Sequence, residues 1–196
     1  MPEPVEIEVY FNFRSPYCYL ASKRLFDLEA DDVRLLWYPL GGWAGRSPPE
    51  RAKVKLPIAR QDVRRWCKRM DIPFNPPPVT TDPTRAAAVS LLAEREQCLR
   101  GYTQAVMHAE WGEGGDIGDP QVLVPAAVSA GLDADAVREA MDDPQHLARL
   151  EDNWERAQRL GATGVPTFII GEDIFWGNDR IDFVEEHLDD LRGARP

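Results

Sequence analysis

A chain of 196 residues is long enough for one sizeable core, and no linker or low-complexity run divides it. Its formal net charge of −10 provides no basic face to neutralise nucleic-acid phosphates. No apolar run approaches the roughly 18–20 residues of a membrane span, and Met1-Pro2-Glu3-Pro4 has neither the basic nor the apolar stretch of a secretory signal. The expectation is a cytoplasmic protein with no nucleic-acid partner and no membrane.

In chain order, Val5 to Phe11 alternates apolar residues with Glu6 and Glu8 in the period of a strand. Tyr19 to Leu28 reads as an amphipathic helix. Val33 to Tyr38 reads as a second strand, stopped by Pro39, Gly41 and Gly42. Two strands separated by one helix predict a right-handed βαβ unit with the pair parallel. From about Pro49 to Leu160 the period is helical. Lys53 to Met70 is expected to bring Val54, Ile58, Val63, Trp66 and Cys67 near one face, and Asp82 to cap a helix that runs through Cys98.

Tyr102 to Trp111 continues helical until Gly112-Glu113-Gly114-Gly115, a run without the spacing of a dinucleotide fingerprint. Pro120 to Ala130, Asp133 to Met141 and Gln145 to Leu160 are three more helices. Strands then resume as Phe168 to Ile170 and Ile174 to Trp176, turning at Gly171-Glu172-Asp173. Gly177-Asn178-Asp179-Arg180 starts a final helix, Ile181 to Leu191. The predicted class is α/β: a small mixed sheet formed by residues 1–48 and 161–196, interrupted by an all-helical insertion over 49–160.

Cys18, Cys67 and Cys98 are an odd number at wide spacings, which suits a reducing compartment and gives no zinc pattern. His108, His146 and His187 are equally scattered, and no metal is expected.

The chemistry is expected at Arg14-Ser15-Pro16-Tyr17-Cys18, between the first strand and the first helix. Ser15 followed by Pro16 is a helix-start signature. Free N–H groups and the helix dipole at such a corner favour negative charge on oxygen or sulfur. On these residues alone Ser15 is either a plain N-cap or the reactive corner.

A strand–(Cys/Ser)-Pro-x-Cys–helix corner, with Val165-Pro166-Thr167 before a late strand, resembles the thioredoxin fold. The helical insertion resembles the disulfide-oxidoreductase (DsbA-like) subgroup. That resemblance implies a cis Val165–Pro166 bond facing the corner. Its redox members read Cys-Pro-x-Cys, whereas here serine holds the position of the attacking thiol. One cysteine cannot close a local disulfide, so dithiol exchange is unavailable. Cys18, about one turn into the helix, is read as structural in preference to redox-active. Serine can then act as a nucleophile with a base, or as a hydrogen-bond donor to a thiolate supplied by another molecule.

Further stretches narrow the likeness: Phe11-Asn12-Phe13 before the corner, Val54-Lys55-Leu56 with Asp62-Val63-Arg64-Arg65-Trp66, Ile72-Pro73-Phe74, Trp111-Gly112-Glu113-Gly114 and Trp176-Gly177-Asn178-Asp179-Arg180. With these the sequence resembles the 2-hydroxychromene-2-carboxylate isomerases, in the kappa-class glutathione transferase branch of thioredoxin-fold proteins. The resemblance implies glutathione as cofactor, Ser15 as the catalytic residue beside its sulfur, a small aromatic hydroxy- or keto-acid substrate from aromatic-compound catabolism, and a homodimer.

It further implies that Val165 and Pro166 present backbone to the cysteinyl portion of glutathione. Asn178, Asp179 and Arg180 would hold its γ-glutamyl end, and Lys55 a glycyl or substrate carboxylate. Tyr17 and Trp43 are expected to line the substrate. For Asp179-Arg180 the bland alternative is helix capping with a surface ion pair. The sequence departs from the family where Cys18 replaces a small residue, where Arg46 or Ser47 stands near a family asparagine, and where Ile58 replaces a tyrosine. The remaining alternatives are a kappa-type transferase or peroxidase, and a non-catalytic thioredoxin-fold protein.

Overall fold

The computed structural model describes residues 3–42 and 49–193, with side chains for all of these but residues 49–53. The alternating stretch at the start forms β1 (Val5–Phe11). It pairs in parallel with β2 (Val33–Pro39), from Val5 opposite Val33 to Phe11 opposite Pro39. On its other side β1 pairs antiparallel with β3 (Thr167–Ile170), Val9 opposite Phe168, and β3 pairs with β4 (Asp173–Trp176). The sheet order is β2-β1-β3-β4. The first strand therefore lies inside the sheet, and its C-terminal end opens beside the start of β3.

The period-2 alternation divides the strands between two cores. Ile7, Val9 and Phe11 face Trp37, Phe168 and Ile170 in the larger core. Tyr10 and Ile169 face the opposite side, with Leu40, Ala157 and Ala162. Glu8 shares that second face and is met there by Arg156, whose Nε donates to its carboxylate at 3.0 Å.

The helix after β1 is shorter than the sequence period suggests. It runs as α1 (Pro16–Ala21), and only a single 3-10 turn, Leu25–Leu28, follows. Ser22 ends it: its buried hydroxyl donates back to the Tyr19 carbonyl at 2.7 Å, a local bond that competes with the helix ladder. The second departure is in α2 (Pro49–Met70). Val63 and Cys67 are buried, but Val54 and Ile58, expected on the same face, are 69% and 64% exposed. Among the described side chains of this helix, those that pack on the core lie in its C-terminal half, and Pro57, within the exposed stretch, removes a ladder bond.

The other helices follow their predicted stretches: α3 (Thr84–Arg95), α4 (Leu99–Met107), α5 (Pro120–Ser129), α6 (Ala134–Met141), α7 (Pro144–Arg159) and α8 (Ile181–Gly193). Asp82 lies two residues before α3, so Pro83 and not Asp82 takes the N-cap position; the Asp82 carboxylate still accepts from the Thr84 N–H at 2.9 Å. Gln97, in the left-handed region at φ 58°, separates α3 from α4. A π-turn, His108–Gly112, extends α4 up to the glycine run. The larger core is continuous from Ile7 and Phe168 in the sheet to Val89, Tyr102 and Leu123 in the helices.

Candidate active site

β1 ends at Phe11, and the chain turns over Asn12 to Ser15. Asn12 shapes this turn: its amide donates to the Leu40 carbonyl at 2.8 Å and accepts from the Arg14 N–H at 2.8 Å. Ser15 is the N-cap of α1, with Pro16 in the first helical position. Its hydroxyl oxygen accepts from the Cys18 N–H at 3.3 Å. The same hydroxyl donates to the carbonyl of Val165 at 3.2 Å. The Val165–Pro166 bond is cis, so the predicted conformation is present and the predicted pair of segments meets. Ser15 is both the cap and the residue that faces the cis-proline loop.

Cys18 is completely buried beneath Ser15. Loss of solvent pushes its thiol up to about 12, against smaller opposing contributions from the Asn12 backbone and the Ser15 hydroxyl. A thiol held protonated and out of solvent does not attack. Cys67 is likewise buried, and all three cysteines are free. Among the described residues no group of three or more His, Cys, Asp or Glu side chains is arranged to hold a metal ion.

Tyr17, next in the chain, is half-buried and donates its hydroxyl to Asp62 on α2 at 3.1 Å. Burial, then the Asp62 hydrogen bond, then the charges of Asp62 and Asp179 push its phenol up to about 12. Two carboxylates, Asp62 and Asp179, therefore flank Tyr17. The sequence pattern contains Asp62 but assigns it no role. Its signal was its spacing: Lys55 and Asp62 are seven residues apart on α2, two turns along one helix face. Lys55 is exposed on that face. Trp43, Arg46 and Ser47 lie outside the described residues.

Asn178, Asp179 and Arg180 form a 3-10 turn that leads into α8. Gly177 carries φ +114°, and a Cβ there would stand 2.6 Å from an Asp179 carboxylate oxygen, so glycine is required twice over. Its N–H donates to the Pro166 carbonyl at 2.9 Å, which ties this turn to the cis-proline loop. Gly164, just before the cis-proline loop, packs so closely on β4 that a Cβ there would come within 2.4 Å of the Trp176 indole nitrogen. Arg180 pairs with Asp179 at 2.7 Å, both about half exposed, as the bland reading of these residues anticipates. An open depression of about 470 Å³ beside this motif is lined by Trp176, Arg180, Phe183 and His187, without Ser15.

Of the predicted residues, Ser15, Val165 and Pro166 are thus assembled directly, and Asp179 joins Tyr17 through its charge. Lys55 stands two turns away along α2. Fold and corner define a thioredoxin-fold protein of the DsbA type in which serine replaces the attacking thiol. The chain matches the profile of the DSBA-like thioredoxin domain over residues 6–189, and it belongs to that family.

Among individual proteins, it is 32% identical to a 2-hydroxychromene-2-carboxylate isomerase of Sphingobium xenophagum, over 93% of this chain and 97% of that one. It is 25% identical to glutathione S-transferase kappa 1 of Caenorhabditis elegans, over 96% and 92%. A solved structure of a 2-hydroxychromene-2-carboxylate isomerase superposes with a TM-score of 0.79 at 26% identity, covering 95% of each chain. These relatives agree with the likeness drawn from the motifs, and they make the chain one of an isomerase and transferase group of enzymes.

Proposed function

We propose that this chain is a glutathione-dependent isomerase acting on 2-hydroxychromene-2-carboxylate or a closely similar aromatic acid, and converting it to trans-o-hydroxybenzylidenepyruvate. The observation that carries the reading is the single hydroxyl of Ser15, set at the α1 cap and against Val165, in a corner whose only nearby thiol, Cys18, is buried. Such a corner cannot run dithiol exchange by itself, but it can hold the sulfur of a small thiol.

The residues present fit glutathione. Its ammonium is favoured by the two carboxylates, Asp62 and Asp179, that act on Tyr17. Its cysteinyl backbone matches the edge of the Val165–Pro166 loop, as extended peptides match a free edge. Lys55, exposed on the α2 face that leads to Asp62, suits a carboxylate of glutathione or of the substrate. When bound, glutathione supplies a thiolate whose reversible addition to a conjugated carbon permits bond rotation before the thiol is released unchanged.

Ser15 has two tasks. At rest its proton is directed to the Val165 carbonyl, and with a sulfur beside it that proton turns to the thiolate. A free thiol near pKa ~8.5 is mostly protonated at neutral pH, so a donor to the anion increases the reactive fraction. Tyr17, kept protonated by burial, presents a phenol beside the substrate and is held in place by Asp62. The reading includes a homodimer in a reducing cytoplasm, which three free cysteines suit.

The test is turnover of 2-hydroxychromene-2-carboxylate, followed by ultraviolet absorbance with and without glutathione while free thiol is counted. Conversion that requires glutathione, leaves its amount unchanged and collapses in Ser15→Ala supports the isomerase. Net loss of glutathione points instead to the transferase chemistry of the kappa-class relative. Turnover without glutathione overturns the proposal.

A further inference from the structure

Glu110, in the π-turn behind the corner, is a buried ionisable group that the proposed chemistry leaves unused. Its side chain is 0% exposed. Neither carboxyl oxygen has a hydrogen-bond partner, and neither does the buried Nε of Arg14. Arg14 is the nearest cation, but its Nη1 stands 3.8 Å from Glu110, too far for a hydrogen bond. The guanidinium is held elsewhere: Nη2 donates to the Pro78 carbonyl at 3.0 Å, and its plane covers the Trp111 ring at 5.3 Å. Trp111 in turn donates to the Phe13 carbonyl at 3.0 Å. Arg14 is therefore fixed by groups other than Glu110.

A buried carboxylate without hydrogen bonds is strongly unfavourable, and the usual outcome is that the group keeps its proton. The geometry points to Glu110 as a carboxyl held uncharged behind the Ser15 corner, a positioning residue that leaves the charge of Arg14 free to support an anion at position 15. The other groups that face it act in the same direction. Asp116, in the loop after the π-turn, opposes a second negative charge there, and Cys18 on α1 is neutral. Arg14 pulls the other way and so, more weakly, does the Trp111 indole, while Arg60 of α2 acts on Arg14. His108, on the π-turn, and Glu113, just after it, lie 3.5 Å from each other. Burial outweighs Arg14 and raises the Glu110 carboxyl well above the ordinary carboxylate range. The coupling reaches the corner, because a charge on Glu110 is felt at Cys18.

The consequence is a switch in sign. While Glu110 is uncharged, Arg14 contributes a full positive charge one residue from Ser15. Once Glu110 loses its proton to solvent, the pair is neutral and that support is withdrawn. The inference rests on the reading that position 15 holds an anion, but it can be tested without glutathione.

The probe is a thiol introduced by Ser15→Cys, whose ionisation is read from the pH dependence of its alkylation, located by mass spectrometry. Adding Arg14→Met should raise that thiol's pKa by about one unit, a tenfold loss of thiolate at neutral pH. Adding Glu110→Gln should leave it unchanged near neutrality. A fall of about one unit in Glu110→Gln would show that a carboxylate had been opposing Arg14 all along, and would overturn the inference. No response to Arg14→Met would overturn it equally, while leaving Ser15 and glutathione untouched. The wild-type chain gives a check that needs no variant to fold: with carbon-13 in the glutamate carboxyls, one should remain at the neutral-acid shift at pH 7. If every glutamate there is a carboxylate, Glu110 is charged and the inference fails.

Discussion

Ser15 and Val165 are 150 residues apart in the chain, yet the hydroxyl of one donates to the carbonyl of the other at 3.2 Å. This contact joins the end of β1 to the loop that precedes β3, and both sides of it are backbone-determined: a helix cap on one, a cis-proline loop on the other. Removing the hydroxyl therefore affects structure and chemistry together. Ser15→Ala should lower stability by about 0.5–2 kcal/mol, the usual worth of a cap, in urea denaturation. It should lower turnover by about 10²-fold or more, the loss expected for a donor to a developing anion. A variant that loses stability but keeps full turnover would make Ser15 a cap only.

Ser15→Cys would return the corner to Cys-Pro-Tyr-Cys. The side chain at position 15 already accepts from the Cys18 N–H at 3.3 Å, one helical turn away. Mild oxidation of this variant should close a disulfide between positions 15 and 18, seen as a loss of two titratable thiols. The wild-type chain should lose none by this route.

The thiol of Cys18 lends a pH dependence to stability. Burial pushes it up to about 12 from an ordinary value of 9.0. The unfolded chain therefore loses this proton first as pH rises. The contribution is intact below about pH 9 and is withdrawn as pH climbs towards 12. Denaturation midpoints should fall more steeply across that window in wild type than in Cys18→Ala. Iodoacetamide at pH 8 should modify the partly exposed Cys98 before the buried Cys18 and Cys67.

Gly177→Ala places a Cβ 2.6 Å from the Asp179 carboxylate at a φ of +114°. Asp179 must move, and backbone strain adds about 1–2 kcal/mol. The expected result is weaker glutathione binding by calorimetry, with Ser15 unaffected. Unchanged binding would remove Asp179 from the site.

The strands and the corner were legible because each rests on a local signal, whereas the register and the pairing of β1 with β3 were not. Glu6 and Glu8 mark the alternation of β1, Ser15-Pro16 marks the cap, and Gly177 marks the turn. Longer-range facts left less trace. The end of α1 depends on a buried Ser22 hydroxyl bonding back to Tyr19, which an amphipathic period does not register. Val54 and Ile58 carry the right spacing for a buried face, but among the described side chains of α2 those that reach the core lie in its second half. Tyr17–Asp62 and Arg14–Glu110 join residues from separate elements, and charge at a distance has no sequence period. Asp62 could have been found by its seven-residue spacing from Lys55. Glu110, inside an apolar helical stretch, gave only the hint of an acid where a core residue belongs.

The most direct measurement is the ultraviolet thiolate absorbance of glutathione on titration into the protein at pH 7, for wild type and Ser15→Ala. The account predicts a thiolate band that grows with bound glutathione in wild type and is lost in Ser15→Ala, although the tripeptide still binds. Glutathione that binds wild type entirely as the thiol, or with the same thiolate yield in both proteins, would contradict it.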